Sequence, residues 1–124
     1  MAENKKILVA EDDEFLSKVY EVKLEKEGYS IVKAMDGEQA VTYAKSELPD
    51  LIILDLVMPK KNGFEALDEI KADPATKDIP VIILSNLGQD SDVQKGLDKG
   101  ASDYIVKANT TIAEVMEKIN TFMK

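Results

Sequence analysis

The sequence predicts an α/β fold: five β-α units building a five-stranded parallel sheet, doubly wound with helices on both faces. Two observations carry this. Short apolar runs alternate along the chain with longer amphipathic ones, the pattern of repeated crossover units. The clearest runs, Ile7–Ala10, Leu51–Leu54 and Val81–Leu84, are continuous rather than alternating and stop at polar residues. Strands buried on both faces of a parallel sheet read this way.

Ile7–Ala10 ends abruptly in Glu11-Asp12-Asp13. Helical spacing follows over Glu14–Glu27, with Phe15, Leu16, Val19, Tyr20, Val22 and Leu24 as apolar positions and Gly28 as the stop. Asp13 suits the N-cap of that helix. Ser30–Ala34 is a weaker strand. Gly37–Glu47 places Ala40, Val41, Ala44 and Leu48 on one stripe, closed by Pro49. Leu51–Leu54 ends in Asp55. Phe64, Leu67 and Ile70 mark a third helix that ends before Asp73-Pro74. Val81–Leu84 ends in Ser85-Asn86. Asp90–Lys99 is the least anchored helix, offering Val93 and Leu97 to the core, with Gly96 inside it costing ~1 kcal/mol against Ala. Asp103–Lys107 is the second weak strand, and the more polar of the two is expected at a sheet edge. Ile112, Val115, Met116, Ile119, Phe122 and Met123 mark a final helix whose start Asn109-Thr110-Thr111 can cap.

The 124 residues are 44% hydrophobic, which fits one ordinary globular core. No linker, repeat or low-complexity segment divides them, so residues 1–124 read as a single domain with no room for an output domain. The starting Met1 and the complete pattern fit a whole protein. A net charge of −8 argues against a nucleic-acid footprint and against anionic membranes. There is no cysteine and no histidine. Disulfides, thiolate chemistry, Cys-ligated zinc and His-dependent triads are therefore excluded. No apolar run approaches the ~20 residues of a membrane span, and Met1–Lys6 carries no leader-like apolar segment. The expectation is a cytoplasmic protein.

Ligands of open parallel sheets bind beyond the carboxyl ends of the strands. Here those ends carry Glu11, Asp12 and Asp13, then Asp55, Ser85 and Lys107. Singly, each has an ordinary reading as a cap, a turn residue or a solvated charge. Together, converging carboxylates repel and raise one another's pKa values unless a cation joins them. An all-oxygen set suits Mg²⁺, with Mn²⁺ as the alternative.

Four stretches make the reading specific: Ile7–Asp13, Asp55-Leu-Val-Met-Pro-Lys-Lys-Asn-Gly63, Ile79–Ser85 and Gly100-Ala-Ser-Asp-Tyr-Ile-Val-Lys107. In them the chain resembles the receiver domains of two-component response regulators, of the single-domain chemotaxis-regulator kind. The resemblance runs from about Lys5 to the C-terminus. It implies a flavodoxin-like sheet of order 2-1-3-4-5. It implies that Asp55 is the phosphoacceptor, and that Asp12, Asp55 and the Val57 carbonyl hold Mg²⁺, with Glu11 acting through water. Lys107 and Ser85 would contact the phosphoryl oxygens, and Ser85 and Tyr104 would form the switch. The implied partners are a histidine kinase or phosphotransferase and a downstream protein target. That target would be read through the fourth helix, fifth strand and fifth helix, with no enzyme activity beyond self-phosphorylation from a donor and slow self-dephosphorylation.

Two positions depart from the family pattern. Ala108 stands where a proline with a cis peptide is usual, and a trans Lys107–Ala108 bond is expected. Asn86 stands where a small residue is usual. Val57 and Leu87 occupy positions that help orient the hydrolytic water in such domains, and neither can hydrogen-bond one, so a long-lived phosphorylated state is expected. Two other classes compete. A haloacid-dehalogenase-like phosphohydrolase would need a second acid where Val57 stands. A non-phosphorylated interaction module would not need Asp12, Asp55, Ser85 and Lys107 together.

Overall fold

The apolar runs fold as strands of one parallel sheet, and the amphipathic segments fold as crossover helices, in a computed structural model that describes residues 5–123. Met1–Asn4, part of the stretch read for a leader, lies outside the described residues. In chain order the elements are β1 (Lys6–Ala10), α1 (Glu14–Lys26), β2 (Ser30–Ala34), α2 (Gly37–Glu47), β3 (Leu51–Leu54) and α3 (Gly63–Ala72). There follow β4 (Val81–Ser85), α4 (Asp90–Asp98), β5 (Asp103–Val106), a 3-10 turn (Lys107–Asn109) and α5 (Ile112–Met123).

The strand order is β2-β1-β3-β4-β5, all parallel. This is the flavodoxin-like order that the resemblance implies. Both weak strands lie at edges, where one face or end stays wet. Successive side chains of a strand alternate between the two faces, so the continuous apolar runs build two cores. Leu8, Ile52, Leu54, Val81 and Ile83 meet Ala40, Val41 and Ala44 of α2 and Ala66, Leu67 and Ile70 of α3. Ile7, Val9, Ile53, Ile82 and Leu84 meet Tyr20 and Leu24 of α1 and Val115, Ile119 and Met123 of α5.

Three assignments change. Leu48 is not on the buried stripe of α2: it is 56% exposed and ends the helix in a left-handed conformation, φ 45°. Leu97 does not enter the core: it is 40% exposed. Gly96, read as a weak point of α4, is instead its point of closest approach, where a Cβ would lie 2.5 Å from Ile83 Cδ1 and 3.1 Å from Tyr104 Cδ2. A smaller change is that β5 stops at Val106, and Lys107 opens the 3-10 turn. The expected caps form. Asp13 accepts from the amides of Phe15 and Leu16, and Thr111 forms a reciprocal cap with Glu114. Every peptide bond among the described residues is trans, Lys107–Ala108 included.

Candidate functional site

The chain leaves β1 in one direction to build β2 and in the other to build β3, which opens a crevice at the carboxyl ends of β1 and β3. Register fills it. Ala10 pairs with Leu54, and the Asp55 amide donates to the Ala10 carbonyl at 3.0 Å, so Glu11 and Asp55 leave the sheet side by side. Glu11, Asp12 and Asp55 each present an oxygen, all within 4.8 Å of one another. Glu11 and Asp55 are buried, at 3% and 6% exposure, and Asp12 faces solvent.

On the far side of the crevice Ser85 pairs with Val106, which puts Lys107 next in line. Its ammonium bridges the buried acids, 2.5 Å from Glu11 Oε1 and 3.1 Å from Asp55 Oδ2. Burial pulls the Lys107 pKa down, but the bond it donates to Glu11 and the charge of Asp55 outweigh it, and the lysine sits above its usual range. Burial pushes Glu11 up, and its bonds from Lys107 and the Asp13 amide do not fully offset this. The neighbouring Asp55 adds to the rise, but burial, not the like charge that the sequence suggested, is the leading cause.

The loop after β3 orients Asp55. Its Oδ1 accepts from the amides of Leu56 at 2.7 Å and Val57 at 3.3 Å, leaving Oδ2 toward Lys107. Gly63 closes this loop, since a Cβ there would lie 2.2 Å from the Asp55 carbonyl oxygen. Val57 projects outward, 59% exposed. Ser85 is fully buried, and its Oγ accepts from the Leu87 amide at 3.2 Å. The Tyr104 hydroxyl donates to the Leu87 carbonyl. One residue, Leu87, is thus tied to both Ser85 and Tyr104. Sequence reasoning missed this role because it lies in backbone atoms, which carry no residue signature.

The donor set fits a hard divalent cation: three carboxylates, no nitrogen or sulfur ligand, and an ammonium now compensating charge that a metal would neutralise.

An acid-lined crevice at the switch point of a 2-1-3-4-5 sheet, with a lysine across it, defines a class of α/β domain built around one buried aspartate. A family model for the response regulator receiver domain matches residues 7–120, and the chain belongs to that family. The DNA-binding dual master transcriptional regulator RpaA of Synechocystis is 36% identical over 96% of this chain and 49% of its own length. The first curated relatives are longer: this chain spans 39%, 49% and 42% of them. The receiver domain of the Francisella response regulator 1452 superposes with a TM-score of 0.87 at 31% identity, covering 96% of each chain. The receiver domain of the Pseudomonas aeruginosa sensor histidine kinase PA1611, described with a magnesium ion in its active-site cleft, gives 0.86 at 29% identity over 97% of this chain and 98% of that one. Among the described residues no helix is long and apolar enough to cross a membrane.

Proposed function

We propose that Asp55 is the phosphoacceptor of a two-component signalling switch, supplied by a histidine kinase or phosphotransferase. The observation that carries this is the buried Asp55 carboxylate held between two backbone amides and Lys107 beside Glu11 and Asp12. The amides fix Oδ1, so Oδ2, which accepts from Lys107, is the oxygen that attacks phosphorus as Lys107 moves to the phosphoryl group, opposite the departing donor nitrogen. Mg²⁺ held by Asp12, Asp55 and the Val57 carbonyl, with Glu11 through water, would neutralise charge as the phosphoryl group approaches. Lys107 then turns from Glu11 to a phosphoryl oxygen, and the Ser85 hydroxyl donates to another.

The output follows from Leu87. Drawing Ser85 Oγ toward the phosphoryl group carries the Leu87 amide with it, and the Leu87 carbonyl carries Tyr104. Motion at Asp55 therefore reaches β5 and α4, and we assign the face of α4, β5 and α5 as the one a protein target reads. Val57 and Leu87 give an attacking water no hydrogen-bond partner from their side chains, so the phosphorylated state lasts.

The test is incubation with acetyl phosphate and Mg²⁺, followed by intact mass. One phosphoryl adduct on the wild type and none on Asp55→Ala is expected. An adduct that survives in Asp55→Ala, or catalytic release of phosphate from many substrates, rejects the reading. After the donor is removed, decay within seconds rejects the long lifetime, as does an unchanged rate in Val57→Asn/Leu87→Glu.

A further inference from the structure

The turn from β2 into α2 is built as a unit. Asp36 caps α2 by accepting from the Gln39 amide at 2.8 Å, and Gln39 Oε1 accepts in return from the Met35 amide at 2.9 Å. The turn starts at Ala34, whose carbonyl accepts from the Glu11 amide at 3.1 Å, so it is tied to the acid side of the cleft. Behind it Ala40 and Ala44 are fully buried against the sheet, which leaves α2 little room to retreat. Gly37 is the buried first residue of this helix, and the loop between β3 and α3 lies directly on it. A Cβ at Gly37 would fall on the Lys61 carbonyl oxygen, 2.5 Å from the carbonyl carbon and 2.8 Å from Lys61 Cβ. No side-chain rotation clears such atoms. Of the two partners the loop is the one that gives, since Pro59 and Lys60 are exposed and Lys61 is half-buried. The displacement does not stay at Lys61. Its amide donates to the Pro59 carbonyl at 2.8 Å, and the Gly63 amide donates to the Leu56 carbonyl at 2.9 Å. The loop is thereby closed onto Leu56 and Val57, whose amides hold Asp55 Oδ1. The Val57 bond, at 3.3 Å, is the weaker of the two and the first to be lost.

We propose that Gly37 is a positioning residue for Asp55: the start of α2, made rigid by Asp36 and Gln39, is the seat on which the β3–α3 loop rests, and the seat has the right height only without a side chain. The loop so held presents the Leu56 and Val57 amides to Oδ1 and leaves Oδ2 toward the cleft. This rests on the phosphoacceptor reading above for its consequence but not for its geometry. A carboxylate held by a supported loop arrives oriented, and the incoming phosphoryl group need not order it. Sequence alone reads Gly37 only as the first residue of a helix.

The experiment compares wild type, Gly37→Ala and Gly28→Ala. Gly28 has φ 97° and nothing within 4 Å of an added Cβ, so Gly28→Ala strains the backbone and lowers stability without touching the loop. Nitrogen-resolved NMR follows the Leu56 and Val57 amides without metal or phosphodonor. In Gly37→Ala the Val57 amide proton should move upfield and exchange about three- to tenfold faster, as one lost hydrogen bond requires. In Gly28→Ala both amides should stay at their wild-type positions. A misplacement of about 1 Å costs a reaction on the order of 100-fold, and a loop that yields by part of that should slow phosphorylation by acetyl phosphate about tenfold in Gly37→Ala. Wild-type amide positions in Gly37→Ala overturn the proposal, and so does a wild-type phosphorylation rate. Equal changes in Gly28→Ala make the effect one of general loosening and overturn it too. Should Gly37→Ala not fold, Gln39→Ala decides: it frees the Met35 amide and adds no bulk, and a Val57 amide that does not move there overturns the proposal. If the wild type itself takes no phosphoryl group, the reading of Asp55 fails, while the amide measurement still decides Gly37.

Discussion

Gly63 has no room for a side chain, because a Cβ would meet the carbonyl of Asp55 itself. Gly63→Ala therefore has to move backbone rather than a flexible tip, at a cost of about 1–3 kcal/mol. We expect a drop of several degrees in melting temperature together with slower phosphorylation, because the displaced atoms are those of the proposed acceptor. Lys60 shows the opposite case: it is a non-glycine residue at φ 68°, a conformation costing an L side chain about 1 kcal/mol. Its ion pair with Asp36, at 3.7 Å and largely exposed on the lysine side, offsets little of that. Lys60→Gly should raise the denaturant midpoint at unchanged slope, and a lowered midpoint contradicts this account of the loop. The acids, Ser85 and Lys107 were legible in the sequence because apolar strands end at them. The Lys107 bridge and the Leu87 backbone links were not, since they depend on register and on atoms that every residue shares.

At the scale of elements, α4 stands apart. Gly96 is its buried residue, Val93 is half-buried, and Leu97 faces outward. Sequence reasoning saw its weak anchoring but mistook the cause: Gly96 is what lets the helix approach Ile83 and Tyr104 at all. Its amides should exchange fastest among the helix interiors, because few apolar contacts resist local opening. Hydrogen exchange checks this, and protection in α4 equal to that of α3 counts against it. Gly96→Ala should push α4 outward and shift the Tyr104 ring resonances, leaving the β1 amides unaffected. The strands were legible almost to the residue because continuous β-branched runs have few alternatives. Helix ends such as Leu48 were not, since an apolar residue at a stripe position and one at a left-handed cap look alike in sequence.

Over the whole molecule, the proposed function would couple metal, proton and phosphoryl group through charge at one cleft. Glu11 sits above its ordinary value of 4.5 because it is buried. It therefore takes up its proton at a higher pH than an exposed glutamate, and acidification through that window removes one negative charge from the cation site. Mg²⁺ affinity should begin to fall above the ordinary carboxylate range, and Glu11→Gln should flatten that part of the profile. Calorimetric titration across pH measures both, and an equally steep profile in Glu11→Gln contradicts the assignment. Stability carries the sign of a raised pKa: the contribution of Glu11 is fully present below its unfolded value and is lost as pH rises through the folded one. Lys107 behaves likewise around and above its ordinary 10.5. The central claim is that phosphorylation of Asp55 is transmitted through Ser85 and Leu87 to Tyr104. NMR of the Tyr104 ring before and after acetyl phosphate and Mg²⁺, in wild type and in Ser85→Ala, tests it most directly. The account predicts a Tyr104 shift on phosphorylation in the wild type that is largely lost in Ser85→Ala although Asp55 is still phosphorylated. A Tyr104 resonance that does not move in the wild type, or that moves equally in both proteins, would contradict it.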